Sequence, residues 1–521
     1  MKPIDQLLSY LNSLDIQFRI DGDRIYCNDP QGMLTSELKQ QLRDRKQEIL
    51  QFIHHNRQSS QSDRILPVSR DTNLPLSFAQ QRLWFLNQLE PNNPIYNLSF
   101  PLRLLGQLNI EALKQSLNEI VRRHEVLRTT FTIIDKKPVQ AIAPVLTLKL
   151  PIIDLENLPE TAQKTQVSQL VTQEAQLLFD LEQGPLLRAS LLKLSQQEYI
   201  ALFTMHHIVS DGWSIEILIK ELGVLYEAFC RDEPISCGDT TRTLLAELPI
   251  QYADFAAWQQ QWLQAEVWET QISYWHQQLN GAPSLLELPT DYPRPAIQSF
   301  SGARHSFSIS PEQTQALKIL SQQQGCTLFM TLLATFKTLL HRYTGSNDLV
   351  VGTPIANRNR SEIEGLIGFF VNTLVLRTDL SGNPRWRELL HRVREVSLGA
   401  YAHQDMPFEQ LVEHLQPQRN LSYAPLFQVM FVLQNPQNSH IELSGLTLST
   451  VETNSNNHAK FDLTLDISET PDGLIAKLEY NTDLFTAQTI QQMTGVMQTL
   501  LCKILANPEA RLSDLPILTT I

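Results

Sequence analysis

Two adjacent histidines, His206 and His207, close an apolar run from Tyr199 to Val209; Asp211-Gly212 follows, and then an amphipathic stretch from Ser214 to Phe229. This order predicts a strand, a turn and a helix. Side chains alternate across a strand, so the two imidazoles point to opposite faces and only one of them can line a given cavity. Ala201, Phe203 and Met205 share the His207 face, whereas Ile200, Leu202 and Thr204 share the other. Both faces are largely apolar, which predicts a strand covered on both sides. An imidazole where a covered strand gives way to a loop is suited to proton handling, because it titrates near neutral pH. On the residues alone, a hydrogen-bonded core pair with a plain Asp-Gly turn is the alternative. His54-His55, the same dipeptide at the polar end of an expected helix with no Asp-Gly after it, is assigned no function.

The 521 residues exceed one ordinary core, so two or three domains are expected. A net charge of −13 disfavours a nucleic-acid partner held through its phosphates. No apolar run reaches the length of a membrane span and the amino terminus lacks a signal-peptide core, so the expected location is cytoplasmic. Cys27, Cys230, Cys237, Cys326 and Cys502 lack metal-ligand spacing and are expected to be reduced packing residues; neither a metal nor a cofactor is expected on the chain.

Residues 4–14 carry a helical apolar pattern, two short strands follow about Asp21-Gly22-Asp23, and a second helix is expected from Leu38 to about Ile53. This unit, 1–57, precedes a polar linker, 58–73. Ser77 and Gln80 have capping-box spacing, and Asn109 can cap a helix bearing Ile110, Leu113, Leu117, Ile120 and Val121. A first lobe is expected over 74–245 and a second over 246–511, with 512–521 beginning a further linker. In the second lobe a long apolar helix from Leu328 to Tyr343 leads to the strand Leu349–Gly352. Strand patterns recur at Phe427–Leu433, Phe461–Ile467 and Leu474–Tyr480, and a helix is expected from Ala487 to Leu505.

The histidine loop resembles the signature of nonribosomal peptide synthetase condensation domains, and other segments resemble that family's motifs in the same order. These are Ser77–Leu86, Arg123–Phe131, Tyr252–Trp258, Ile367–Arg377 and His403–Glu409; a seventh, about Arg419 to Leu426, matches more loosely. Residues 1–57 resemble the amino-terminal docking domains of such synthetases, of the TubC type. The resemblance implies an α/β fold of two chloramphenicol-acetyltransferase-like lobes in a V-shaped pseudo-dimer around a central tunnel. It implies amide formation by attack of an acceptor aminoacyl amine on a donor acyl or peptidyl thioester. Both substrates would arrive on phosphopantetheine arms of carrier proteins. The further partners implied are the carboxy-terminal tail of an upstream subunit at the docking unit and a downstream adenylation domain.

In that family His207 corresponds to the active-site histidine, so His206 is the expected packed partner. Asp211 is expected as a structural brace paired with Arg128, because a buried arginine needs an anion. Gly212 either admits close approach of substrate, with nearby backbone N–H groups facing an oxyanion, or merely satisfies turn geometry. Trp213, Ser214 and Asn372 are expected along the tunnel, although a backbone partner for the Asn372 amide is the competing reading. His403 and Asp405 are read as part of a loop closing over the interface. An epimerisation domain, a non-catalytic recruitment domain and an acyl-CoA-dependent acyltransferase are the alternatives. The intact histidine loop disfavours recruitment, and Trp213 preceding Ser214 disfavours epimerisation.

Overall fold

A computed structural model describes residues 17–21, 24–28, 40, 42, 46, 64–231, 245–417, 420–434, 442–443, 445–451 and 458–515. Strands β1 (Gln17–Asp21) and β2 (Arg24–Asn28) form an antiparallel hairpin in which Ile20 pairs with Ile25 and Asp21 with Arg24. That is the expected hairpin. The helices expected beside it fall largely outside the described residues, as do His54-His55, Asn56–Ser62 and Arg419.

The first lobe begins with β3 (Leu74–Pro75), α1 (Phe78–Leu89), β4 (Asn97–Gly106) and α2 (Ile110–Arg123). The hairpin β5 (Thr129–Ile134) and β6 (Lys137–Ile142) follows, then β7 (Ile152–Asp154) and α3 (Glu160–Gln176). The long strands β8 (Leu187–Ser195) and β9 (Glu198–His206) lead into α4 (Gly212–Cys230). Alternation on β9 has the expected outcome. Ala201, Phe203 and Met205 join one core with Leu117 and Ile120 of α2 and Leu218 and Leu222 of α4, whereas Ile200 and Leu202 join a smaller core with Val171 of α3. Burying each such side chain contributes roughly 1.5–3 kcal/mol, which fixes the register that sets the two histidines.

Two helices, α5 (Tyr252–Trp262) and α6 (Ala265–Leu279), connect to the second lobe. This lobe contains β10 (Gly302–Ile309), α7 (Pro311–Gln323), α8 (Leu328–Thr344) and β11 (Asp348–Ile355). The short α9 (Ser361–Glu364), β12 (Asn372–Asp379), α10 (Trp386–Ala402), α11 (Phe408–Leu415) and β13 (Val429–Gln434) follow. After β14 (Glu442–Leu443) and β15 (Leu446–Thr450) come β16 (Leu463–Thr470), β17 (Gly473–Asn481) and α12 (Ala487–Ala506). The second sheet runs β10-β17-β16-β13-β11-β12 and the first β14-β15-β4-β9-β8-β7, so each lobe holds a six-stranded sheet among the described residues. Gly352 is required inside the second sheet, because a Cβ there would lie 2.2 Å from the Phe427 ring.

Three expected boundaries are corrected. The first lobe does not end at 245: Tyr252, Phe255 and Ala256 of α5 lie in its core, and β15 pairs with β4, so the chain returns to the first sheet from its second half. The linker does not run to 73, because Ile65 is buried in the same core and the Val68 amide donates to Asp254 at 2.8 Å. Residues 512–515 are not linker either. Leu512 and Leu515 are buried in the second core, since a short turn leaves both apolar faces directed into the lobe. Of the cysteines with described side chains, Cys326 is buried whereas Cys230 and Cys502 are exposed, so only the first packs as expected.

Candidate active site

Strand β9 ends at His206, and residues 207–209 form a single 3₁₀ turn before α4. His206 caps that turn: its Nδ1 accepts from the Ile208 amide at 3.1 Å, which leaves the ring proton on Nε2. It is buried, edge-on to Phe179 with ring centroids 6.0 Å apart. His207 lies in the opposite tautomer. Its Nδ1 is 2.8 Å from the Ser210 carbonyl, which can only accept, so Nδ1 carries the proton and Nε2 presents a lone pair. His207 is half-buried as a residue, and its ring meets Phe369 at 4.8 Å between centroids. α1 supports the turn from below, where Gln80 Nε2 donates to the Ile208 carbonyl at 3.2 Å, and Ser77 and Gln80 form the expected capping box.

Burial pushes the His206 imidazole down to about 3, and the neighbouring charges of Lys460 and Arg188 act in the same direction. The sign for stability follows. Above about pH 6.5 neither the folded nor the unfolded imidazole is charged; below it the unfolded chain binds a proton that the folded one refuses. Stability is therefore lost as pH falls from about 6.5 toward 3, by about 2 kcal/mol at pH 5 from His206. A His206→Asn variant, which keeps an acceptor for Ile208, should lose that part of the change in urea midpoint between pH 7 and 5. An identical pH dependence in the two proteins would contradict this.

The expected Arg128–Asp211 pair is not formed. Asp211 is fully buried and caps α4, accepting from the Ser214 amide at 2.8 Å and from the Phe370 amide at 3.0 Å. Its cationic partner is Arg358, whose Nη2 lies 3.1 Å from Asp211 Oδ1 and whose side chain is 1% exposed. Arg358 Nη1 also donates to the carbonyls of Ile363 (2.7 Å) and Leu366 (2.6 Å), and its guanidinium lies 4.2 Å from the Phe370 ring centroid. Arg128 instead points along the β5–β6 hairpin, donating to the Ala143 carbonyl with Glu125 at 3.7 Å. The short 3₁₀ turn Glu125–Arg128 directs it away from the histidine loop. Arg128→Ala should therefore cost about 1 kcal/mol, the loss of one hydrogen bond; a loss above about 3 kcal/mol in chemical denaturation would argue for a pairing with Asp211 after all. The other groups of its motif serve the core. Arg123 and His124 both hold Glu221 of α4, at 2.9 and 3.0 Å.

The polar atoms of Ser214 and Asn372 are engaged within the protein. Ser214 is buried, with Oγ 2.7 Å from Asp211 Oδ1 and accepting from the Gly368 amide at 3.0 Å. The Asn372 amide is consumed by backbone: Nδ2 donates to the carbonyls of Gln404 (2.8 Å) and Met406 (2.7 Å), and Oδ1 accepts from the amides of Phe408 (3.0 Å) and Thr373 (2.8 Å). It clamps the loop bearing His403 and Asp405 onto β12. His403 stacks on Tyr274 at 4.0 Å, while Asp405 accepts from Asn359 at 2.9 Å, so these two form no pair with each other. Trp213 is 38% exposed and donates to the Glu364 carbonyl at 3.1 Å, tying α4 to α9. Gly212 is the first residue of α4, with no positive φ, and a Cβ there would meet nothing within 4 Å. Turn geometry does not require this glycine; it leaves open space at the helix start. Gly368 is different, since a Cβ would lie 2.0 Å from Tyr252, whose hydroxyl donates to the Phe369 carbonyl at 2.6 Å.

Arg358, Phe369 and Lys460 are the site residues that sequence reasoning missed. The run Asn357-Arg358-Asn359-Arg360 directly after a covered strand was the available signal for Arg358. Burial pushes the His207 imidazole down to about 3, and the positive charges of Lys460 and Arg82 act in the same direction.

A family model for condensation domains matches residues 70–520, and one for the TubC N-terminal docking domain matches residues 4–55. The chain belongs to the condensation-domain family and carries a docking domain in front of it. Condensation domains of nonribosomal peptide synthetases are peptide-bond-forming acyltransferases. One linear gramicidin synthase subunit from Brevibacillus parabrevis is 51% identical over 459 residues, which are 88% of this chain and 6% of that protein. The phosphinothricin tripeptide synthetase of Streptomyces viridochromogenes is 41% identical over 449 residues, 86% of this chain and 41% of its own length. The chain thus spans less than half the length of each of these two synthetases. Among solved structures, the X-domain in complex with OxyB from teicoplanin biosynthesis superposes with a TM-score of 0.78 at 28% identity, covering 88% of this chain and 99% of that one. A holo four-domain nonribosomal peptide synthetase bound to AMP and glycine gives a TM-score of 0.75 at 25% identity, over 86% and 34%. Among the described residues no helix is long and apolar enough to cross a membrane.

Proposed function

We propose that this chain forms an amide at His207, joining a donor acyl or peptidyl thioester to the amine of an acceptor aminoacyl thioester. Both substrates are carried on phosphopantetheine arms of carrier proteins. The observation that carries the reading is the tautomer of His207: Nδ1–H is fixed on the Ser210 carbonyl, which leaves the Nε2 lone pair free to accept a proton or hydrogen bond from the attacking amine. His206 holds the turn in shape, and Asp211 with Arg358 holds the turn to the second lobe. The open space beside Gly212 suits close approach of a thioester. Residues 1–57 receive the tail of an upstream subunit, the β1–β2 hairpin offering strand edges for the addition of an extended peptide.

The test mixes the protein with donor-loaded and acceptor-loaded carriers and weighs both carriers intact. The expected result is the donor acyl mass on the acceptor carrier. Bound carriers with unchanged masses would favour the recruitment reading instead.

A further inference from the structure

The segment between β11 and β12 belongs to the second lobe by its strands and to the first by its packing, since Ile363, Leu366, Ile367 and Phe370 are buried in the first core. First-lobe side chains hold its end residue by residue. The Ile367 amide donates to His124 Nδ1 at 3.3 Å and the Gly368 amide to Ser214 Oγ at 3.0 Å. The Phe369 carbonyl accepts from the Tyr252 hydroxyl at 2.6 Å, and the Phe370 amide donates to Asp211 Oδ2 at 3.0 Å. Because Tyr252 gives its one proton to Phe369, the Ser77 hydroxyl, 2.8 Å away, donates to Tyr252 in turn. Phe370 turns into the core, its ring 4.9 Å from that of Tyr252. Phe369 is half-buried, and its ring lies against His207 with centroids 4.8 Å apart and planes inclined at 59°.

The outer torsion of a histidine is broad and roughly two-fold, so one hydrogen bond from Nδ1 to Ser210 leaves the His207 ring room to rock about that bond. A tilted aromatic contact on the ring removes that freedom, provided the second ring is itself fixed. The four consecutive anchors on Ile367–Phe370 supply this condition. We propose that Phe369 is a positioning residue for amide formation: its ring holds the His207 imidazole in the orientation that offers Nε2 to the acceptor amine. The side chains of His124, Ser214, Tyr252 and Asp211 set Phe369 in place, so the first lobe orients its own histidine through a segment of the second. The inference rests on the amide-forming reading above.

A ring packed on the imidazole also shields it from water. The charged and titratable groups acting on the two imidazoles are Lys460, Arg82, Arg188 and the histidines themselves, and burial keeps both rings neutral. Rehydrated, an imidazole titrates near 6.5. The experiment measures carrier-to-carrier amide formation from pH 5.5 to 7.5 for the wild type, Phe369→Ala, Phe369→Leu, Tyr252→Phe, the Tyr252→Phe/Phe369→Ala double variant and His207→Ala, with melting temperatures for all. Each rate is divided by that of the wild type at the same pH, which cancels titration of the substrate amine. At pH 7.5 Phe369→Ala should lower kcat by roughly 10–10²-fold with KM within about threefold, the effect of a misplaced group. Its ratio to wild type should fall roughly tenfold further by pH 5.5, as the exposed imidazole takes up a proton. Phe369→Leu refills the apolar volume, so it should recover part of the rate and a ratio that does not change with pH. Tyr252→Phe should also lower kcat, yet add little to Phe369→Ala in the double variant, since the hydroxyl acts through Phe369. Phe369→Ala turning over within a few-fold of wild type overturns the assignment, and so does a loss equal at every pH, which is packing alone. Should that variant fold poorly, Tyr252→Phe turning over like the wild type overturns it equally. A wild type that makes no amide sinks the amide-forming reading together with this one; an active wild type with His207→Ala inactive and Phe369→Ala unimpaired sinks this one alone.

Discussion

Amide formation by His207→Ala is expected to fall by roughly 10²–10⁴-fold, the range over which a positioned acid–base group contributes. The argument is geometric. The Ser210 carbonyl fixes the ring orientation and its tautomer, so the Nε2 lone pair needs no reorganisation when the amine arrives. Alanine removes the lone pair and leaves the scaffold, since the bonds that shape the turn come from His206, Gln80 and Asp211. The melting temperature should accordingly stay within a few degrees of wild type. Because the imidazole is held neutral, the wild-type rate should not drop between pH 7.5 and 5.5 through protonation of His207. A full acid limb centred near 6.5, abolished by the substitution, would show that the cleft does not depress this group. Near-normal turnover by His207→Ala would remove it from the chemistry altogether.

Arg358→Ala is expected to cost about 3–5 kcal/mol, the usual penalty for deleting one partner of a buried ion pair. Asp211 would retain its bonds to the Ser214 and Phe370 amides but lose the only cation found against it among the described residues, at a fully buried position. The carbonyls of Ile363 and Leu366 would lose their donor as well. Because Arg358 follows β11 of the second lobe and Asp211 follows β9 of the first, the pair is also a clasp between lobes. Its removal should lower the melting temperature by on the order of 10 °C and reduce activity through a displaced histidine loop. Arg128→Ala is the control, since both arginines flank covered strands and only one meets the aspartate. A smaller loss from Arg358→Ala than from Arg128→Ala would reverse the assignment.

That contrast shows how much could be read from the chain. Local rules carried the pieces whose determinants are near in sequence: the alternation on β9, the capping box at Ser77, the β1–β2 hairpin and the strands and helix from Val429 to Ala506. The histidine loop was legible because its strand, turn and helix signals are contiguous. The brace was not. Asp211 and Arg358 are 147 residues apart, and nothing local distinguishes one strand-flanking arginine from another. The return of β15 to the first sheet was missed for a related reason: five residues with two inward leucines, Leu446 and Leu448, say nothing about which sheet they join. For Asn372 an amide in an apolar strand signals only that it must be satisfied; of the two readings, the backbone partner is the one that the Gln404–Phe408 loop supplies. Lys460 carries no local signal at all; only the fold brings it against Tyr96, whose ring neighbours His206.

The most direct measurement is the rate at which the donor acyl group appears on the acceptor carrier, followed by intact mass in a single turnover, with wild type and His207→Ala compared at equal folded concentration. Efficient transfer by the wild type, with a loss of at least a hundredfold in the variant and an unchanged melting temperature, is the predicted result. Equal rates in the two proteins, or no transfer by either from carriers shown to bind, would contradict the claim that this chain forms an amide at His207.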